Sequence, residues 1–186
     1  MTRLLEVIGR MKGRRLLVLA DLVADEFLHG RVQRVSREAP VLILEYAGTE
    51  VRLGGGANAV HNIRTLGGRP LPFGVLGRDE HGRRLRALLR ASGIATAHVE
   101  TDAGYVTPVK ARILGGGTHA TEQQIVRIDR VRPLAARSRA RTAILKGLRQ
   151  LRGPVDGVLV SDYGLDRKST RLNSSHIQKS RMPSSA

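Results

Sequence analysis

The sequence predicts an α/β fold, with a parallel sheet between helices and a smaller sheet of hairpin pieces outside it. Three observations predict it. Short apolar runs at 15–20, 71–76 and 155–161 read as buried strands, and Asp21 and Asp162 close the first and last. Helical patterns separate those runs, which is how parallel neighbours are joined. The stretches around 31–46 and 105–130 instead alternate apolar and polar residues, as a sheet half open to solvent does.

Taken in order, residues 15–20 form the first core strand. Two extended pieces follow at 31–35 and 41–46, divided by Pro40, which has no N–H for a ladder. Leu53-Gly-Gly-Gly-Ala-Asn58 opens a helix in which Val60, Ile63 and Leu66 recur near helical spacing, and Gly67-Gly68 stops it. Residues 71–76 make the second core strand. A helix over 79–91 has Leu85, Leu88 and Leu89 as its apolar stripe, Asp79 and Glu80 in its first turn and Gly93 beyond its end. Residues 105–114 and 123–130 read as a hairpin around Gly115-Gly116-Gly117. Residues 138–151 read as another helix, and 155–161 as a third buried strand. No repeat and no internal linker divides this body, so residues 1–165 are expected to be one unit.

A chain of 186 residues can bury one real core. No run of about 18 apolar residues is present, so no membrane span is expected. The early apolar segment is also too short for a signal-peptide core. The absence of cysteine excludes disulfides, thiolate metal sites and thiol nucleophiles. The six histidines have no paired ligand spacing, so no metal site is assigned. No Gly-x-Ser-x-Gly element is present, which argues against a serine hydrolase. A cytoplasmic location is the reading these features favour. The net charge of +16 raises nucleic acid as a partner. Aromatic residues, however, are only 3% of the chain, too few for a base-stacking platform, and the basic residues are scattered among acids. Non-specific attraction to polyanions fits this better than a specific nucleic-acid partner.

The chain changes character at Asp166. Four serines occupy the preceding body, whereas Ser169, Ser174, Ser175, Ser180, Ser184 and Ser185 crowd the end, and apolar periodicity stops. Residues 166–176 read as the translation of a common short-read sequencing adapter, and 179–186 as its continuation. Residues 166–186 are therefore expected to be a non-native, disordered tail, and no function is read from them.

Ligands of open α/β sheets bind beyond the carboxyl ends of the strands. Asp21, Asp25 and Asp162 lie at or just past such ends, where carboxylates accept hydrogen bonds from sugar hydroxyls; capping or turn formation is the alternative for any one of them. Gly54, Gly55 and Gly56 would let a ligand approach the backbone, with Asn58 adding a donor and an acceptor. The plain alternative is a glycine turn capped by Asn58. The stretch matches neither the P-loop nor the dinucleotide fingerprint. Lys110, Arg112 and Arg127 could meet an anionic substrate group, or simply form a solvated face.

The order of motifs resembles the ribokinase-type, PfkB-like carbohydrate kinases, most of all the bacterial heptose-7-phosphate kinases. The residues that carry this are Ala20-Asp-Leu-Val-Ala-Asp25, Arg34-Val-Ser-Arg-Glu-Ala-Pro-Val41, Leu53-Gly-Gly-Gly-Ala-Asn-Ala-Val-His-Asn62, Gly74-Val-Leu-Gly-Arg-Asp79, Val109-Lys-Ala-Arg112, Gln123-Gln-Ile-Val-Arg-Ile-Asp129 and Leu159-Val-Ser-Asp-Tyr163. The resemblance implies a Rossmann-like core with a β-sheet lid, its pieces at about 31–46 and 105–130, that covers the sugar and pairs two subunits of the full-length parent. It implies that Asp25, Gly54, Gly55 and Asn58 bind sugar hydroxyls, that Lys110 and Arg127 reach the substrate phosphate, and that Asp162 lies near the active-site edge. It also implies ATP and Mg²⁺ as cofactors of the parent, phosphorylation of heptose 7-phosphate at the anomeric hydroxyl, and a place in lipopolysaccharide core synthesis. Such kinases carry their catalytic base in a Gly-Ala-Gly-Asp element, which this sequence does not contain. The chain is thus expected to be the amino-terminal half of a kinase domain, inactive by itself. The alternatives are a non-catalytic sugar- or polyanion-binding protein and a kinase of the same type for another sugar.

Overall fold

The computed structural model describes residues 2–116 and 121–164; the expected tail at 166–186 and Gly117 lie outside the described residues. The chain runs α1 (Thr2–Arg10), β1 (Arg15–Ala20), β2 (Leu22–Val35), β3 (Leu42–Gly54), α2 (Gly55–Thr65), β4 (Arg69–Gly77), α3 (Glu80–Ala91), β5 (Val99–Asp102), β6 (Val109–Gly116), β7 (Gln123–Arg130), α4 (Arg139–Arg149) and β8 (Gly157–Ser161).

The core sheet has the order β5-β4-β1-β8, and every pairing in it is parallel. Side chains of β1 alternate between its two faces. Val18, with Leu16 and Ala20 beside it, packs against Val60 and Ile63 of α2 and Leu89 of α3. On the opposite face Leu19 lies beside Phe73 of β4. Phe73 stacks on His98 with ring centroids 4.3 Å apart, and a Cβ built on Gly147 of α4 would touch both rings. Helices therefore cover both faces of the sheet, as parallel strands buried on both sides require. Asp156 sets the register of the last strand: it accepts hydrogen bonds from the Arg15 amide at 2.7 Å and the Arg14 guanidinium at 2.8 Å.

The second sheet has the order β3-β2-β6-β7 and is mixed, with β2 parallel to β6 and antiparallel to β3. It is wider than the extended pieces at 31–46 and 105–130. The chain leaves β1 at Asp21 and continues directly into β2, so the lid begins at Leu22 rather than near Arg31. The proximal part carries buried apolar residues, among them Val23 and Ala24, and therefore lacks the open alternation by which the distal part reads as a hairpin. Gly115 and Gly116 belong to β6 instead of a turn.

The strand at 155–161 differs from expectation in burial. Val158 and Val160 are 61% and 50% exposed, because β8 is the outermost strand of its sheet and pairs only with β1. Two elements, α1 and β5, have no counterpart in the sequence reading; β5 is four residues long, too short to show a period.

The two sheets meet where Gly54, Gly55 and Gly56 cross the β1–β2 passage. The Gly56 amide donates to the Asp21 carbonyl at 2.9 Å. A Cβ on Gly56 would stand 2.7 Å from Ala20 Cβ and 2.8 Å from the Asp21 carbonyl oxygen. Neither neighbour is the end of a flexible side chain. Gly56→Ala is expected to destabilise the chain by about 1–3 kcal/mol through overpacking, read as a lowered midpoint in urea unfolding with an unchanged slope; an unchanged midpoint would refute this account of the crossing.

Candidate functional site

The alternation of β2, β3, β6 and β7 sorts the lid into two faces. One face holds Ala24, Val51, Leu53, Val109 and Ala111 and packs into the core beside Leu22, Ala57, Leu76 and Leu85. The other is polar. Cross-strand register aligns Arg52, Asp25, Lys110 and Asp129 in one row of that face, and Glu50, Phe27, Arg112 and Arg127 in the next.

Asp25 is the centre of this face. Its Oδ1 accepts a hydrogen bond from Arg112 Nη1 at 2.7 Å, and both side chains are 22% exposed. It also lies over the Gly54 backbone, where an added Cβ would come within 2.6 Å of Asp25 Cγ. Glycine is what lets the carboxylate sit there. Phe27 lies between two guanidiniums, Arg52 at 4.9 Å and Arg112 at 5.3 Å from its ring centroid. Lys110 places its Nζ 4.9 Å from the centroid of Tyr163, which follows β8. A cation–π contact of this kind holds the ammonium at the boundary between lid and core sheet.

Of the residues singled out in the sequence, Asp25, Gly54, Gly55, Lys110 and Arg112 come together. Gly55 has a φ of 51°, and a Cβ there would stand 2.8 Å from Val23 and 3.3 Å from Tyr163. Asn58 is exposed in the first turn of α2. Arg127 is on the edge strand β7, where it pairs with Asp129 at 2.9 Å. Asp162 accepts the Gly164 amide at 2.7 Å in a local turn. Asp21 and Asp162 end the neighbouring parallel strands β1 and β8, and the Tyr163 amide donates to Asp21 Oδ2 at 2.8 Å. Asp25 itself is not at a strand end. It lies inside β2, since the chain passes from core to lid without a loop.

Phe27 and Tyr163 are the residues whose part in this face the pattern alone does not rank, and the partnership of Arg112 with Asp25 is likewise not local. Register is the signal for Arg112, because Asp25 pairs with Lys110 and its diagonal neighbour on the same face is Arg112.

A second knot of polar contacts holds the lid to the core at the end of β4. Asp79 caps α3, accepting the Gly82 amide at 2.7 Å, and also accepts the Thr107 amide at 2.7 Å. The buried Thr107 hydroxyl in turn accepts the Gly77 amide at 2.9 Å. Burial by itself raises the Asp79 pKa, but hydrogen bonds from Thr107 and Gly82 outweigh it and hold the carboxyl below its ordinary value. A depressed folded-state pKa gives stability that is present above the unfolded value, about 3.9, and is lost as pH falls through the folded value. Asp79→Asn is therefore expected to cost about 1 kcal/mol at neutral pH and to flatten the loss of stability below about pH 4, both measurable by urea unfolding from pH 7 down to pH 3.

Residues 22–129 match the pfkB family of carbohydrate kinases. The chain is 38% identical over 149 residues to the bifunctional protein HldE of Citrifermentans bemidjiense, covering 80% of this chain and 30% of that protein. It is 34% identical over 157 residues to HldE of Pelobacter propionicus, covering 84% and 31%. It is 35% identical over 150 residues to HldE of Helicobacter pylori, covering 81% and 31%. The chain thus spans about 30% of the length of these curated relatives. Among solved structures, a carbohydrate kinase from Agrobacterium tumefaciens superimposes with a TM-score of 0.52 at 18% identity, over 79% of this chain and 45% of that one, a likeness of fold.

Proposed function

The chain belongs to the pfkB family of carbohydrate kinases, and on that footing we propose that it carries the sugar-binding part of a kinase for heptose 7-phosphate. The observation that carries the reading is Asp25, a carboxylate laid over the Gly54 backbone on a lid face where Arg52, Lys110 and Arg112 are its neighbours. A carboxylate can accept two sugar hydroxyls, and the glycine turn brings backbone within reach of them. Asn58 offers a further donor and acceptor at the start of α2. Lys110 and Arg112 supply positive charge beside Asp25 for the phosphate of the same substrate, with Arg127 farther out on β7. Asp162 borders the site from the core sheet. Arg112 already bonds Asp25, so sugar binding exchanges part of that ion pair for hydroxyl contacts.

ATP supplies the γ-phosphoryl group in such a reaction and Mg²⁺ spreads its charge. Among the described residues no group of three or more His, Asp or Glu could hold a metal ion, and the sequence has no Gly-Ala-Gly-Asp element to provide a base. No chemical step is assigned to the described residues. This chain binds substrate without turning it over, and the anomeric phosphorylation belongs to a longer parent. No helix among the described residues is long and apolar enough to cross a membrane.

Isothermal titration with heptose 7-phosphate tests this reading. Asp25→Asn is expected to weaken binding by about tenfold or more, the scale of a lost charged hydrogen bond. Arg112→Gln should weaken heptose 7-phosphate more than unphosphorylated heptose. Equal or tighter binding of ribose or fructose 6-phosphate would move the assignment to another sugar. Binding of polyanions with no sugar would replace it by a non-catalytic binding protein. ATP-dependent turnover by this chain alone would overturn the claim that it lacks the chemical step.

We also assign a homodimer to the lid of the parent. The support is the lid, where Leu42 and Tyr46 on β3 and Ile128 on β7 are exposed apolar residues on a sheet with two open edge strands. Leu42→Glu with Ile128→Glu is expected to convert a dimer to a monomer in light scattering; a wild-type monomer at micromolar concentration would remove this assignment.

A further inference from the structure

A cavity of about 450 Å³ opens at the carboxyl end of β5, on the opposite side of the core sheet from β8. Arg78, Arg137 and Arg139 line it, together with Asp102, Gly104 and Ser138. The arginines come from two separate places in the chain. Arg78 follows β4, while Arg137 and Arg139 flank Ser138, the cap of α4.

None of the three guanidiniums forms an ion pair with a carboxylate among the described residues. The one acid in the wall is committed to its own backbone and to the helix cap. Asp102 accepts the Gly104 amide at 2.8 Å and a hydrogen bond from the Ser138 hydroxyl. The Ser138 hydroxyl, with help from the Gly104 amide, holds the Asp102 carboxyl below its ordinary pKa, so it stays ionised and tied to that loop. Three arginines against one engaged carboxylate leave an excess of two positive charges around a concave space. Its volume lies within the range of small-ligand sites, roughly 300–1,000 Å³.

We propose that this cavity binds the diphosphate group of a small phosphorylated metabolite. Guanidiniums present paired donors that match phosphate oxygens, and three of them approaching from two segments suit a group with more than one phosphate. The cavity is separate from the lid face. Strand β4 lies between β5 and β1, which puts the ends of β5 and β1 about 10 Å apart by strand spacing. The inference therefore does not depend on which sugar the lid binds.

The test is titration of the full chain with inorganic pyrophosphate and, separately, ADP in about 150 mM salt, where exposed charges are screened beyond about 8 Å. Amide chemical shifts of Gly104, Ala135 and Ser138 are the readout, because they report this cavity and not the lid. Saturable shifts at those amides are expected with both ligands. Equal midpoints would mean that the diphosphate alone is read, and a lower midpoint for ADP that the organic part adds contacts. Arg78→Gln with Arg137→Gln and Arg139→Gln is expected to raise the midpoint at least about tenfold, as loss of charge-assisted bonds does. Arg83→Gln with Arg84→Gln and Arg90→Gln removes the same charge from exposed positions on α3 and should leave it unchanged. Each single variant, Arg78→Gln and Arg137→Gln, provides the same comparison if the triple variant fails to fold. Absence of saturable shifts at these amides, or an equal loss in the α3 variant, would overturn the proposal.

Discussion

Everything at the candidate site depends on the close approach of the glycine triplet to the passage between β1 and β2. Gly56 is held to the Asp21 carbonyl and stands against Ala20, so helix α2 starts directly above the end of the first core strand. Gly54, two residues earlier, leaves room for the Asp25 carboxylate. With side chains at these positions, α2 would have to move away from β1, and the lid, which is a continuation of β1, would move relative to the core. One crossing therefore sets the helix, the lid and the carboxylate at once. The left-handed φ of Gly55 between them is the backbone form that glycine adopts without strain.

The electrostatics of the lid follow from its alternation. Residues two apart share a face, so the acids and bases of Val-Lys-Ala-Arg and of the strand through Asp25 are aligned on the polar side while Ala24, Val109 and Ala111 are buried on the other. The pairs on the polar side differ in consequence. Arg52 and Glu50 are largely exposed, and such a pair contributes little. The Glu50 carboxyl, held low in pKa by its hydrogen bond to Arg52, marks a local contact only. Asp25 and Arg112 are mostly shielded, where removing one partner leaves the other charge poorly solvated. That is why a ligand with both hydroxyls and an anionic group suits this pair: it can satisfy each partner as it separates them. On the buried side Glu26 is held between His81 of α3 at 2.8 Å and Arg130 of β7 at 2.7 Å, so the lid is also tied to the helix beneath it.

Much of this is legible in the sequence, and the failures have physical reasons. Apolar runs mark β1 and β4, whose burial on both faces removes any alternation. The leucine stripe and the acidic first turn at Asp79 identify α3. The same reasoning makes β8 a buried strand, because an edge strand of a parallel sheet and a central one have the same apolar pattern; only the pairing partner distinguishes them. The lid is legible only where it is exposed on one side, beyond Arg31, since residues 22–24 are wholly buried and look like core. The partnership of Asp25 with Arg112 depends on parallel register between strands more than eighty residues apart, which no local pattern contains.

The strand-end aspartates show why position in a fold does not by itself assign a role. All four parallel strands lead to one: Asp102 ends β5, Asp79 follows β4, Asp21 follows β1 and Asp162 follows β8. Three of the four accept backbone amides that connect the sheet to the next segment. Asp102 takes Gly104, Asp79 takes Gly82 and Thr107, and Asp162 takes Gly164. Asp21 takes the Tyr163 amide across from the neighbouring strand. A carboxylate that satisfies backbone donors where strands end is already spent on the fold, because those amides would otherwise be left without partners. Asp25 is different. It lies beyond the sheet edge in a strand whose own amides belong to the ladder, and it bonds the guanidinium of a long side chain instead of fixed backbone. The carboxylate best placed to exchange partners with a ligand is thus the one the lid carries away from the strand ends, and the glycine crossing is what holds it over the core.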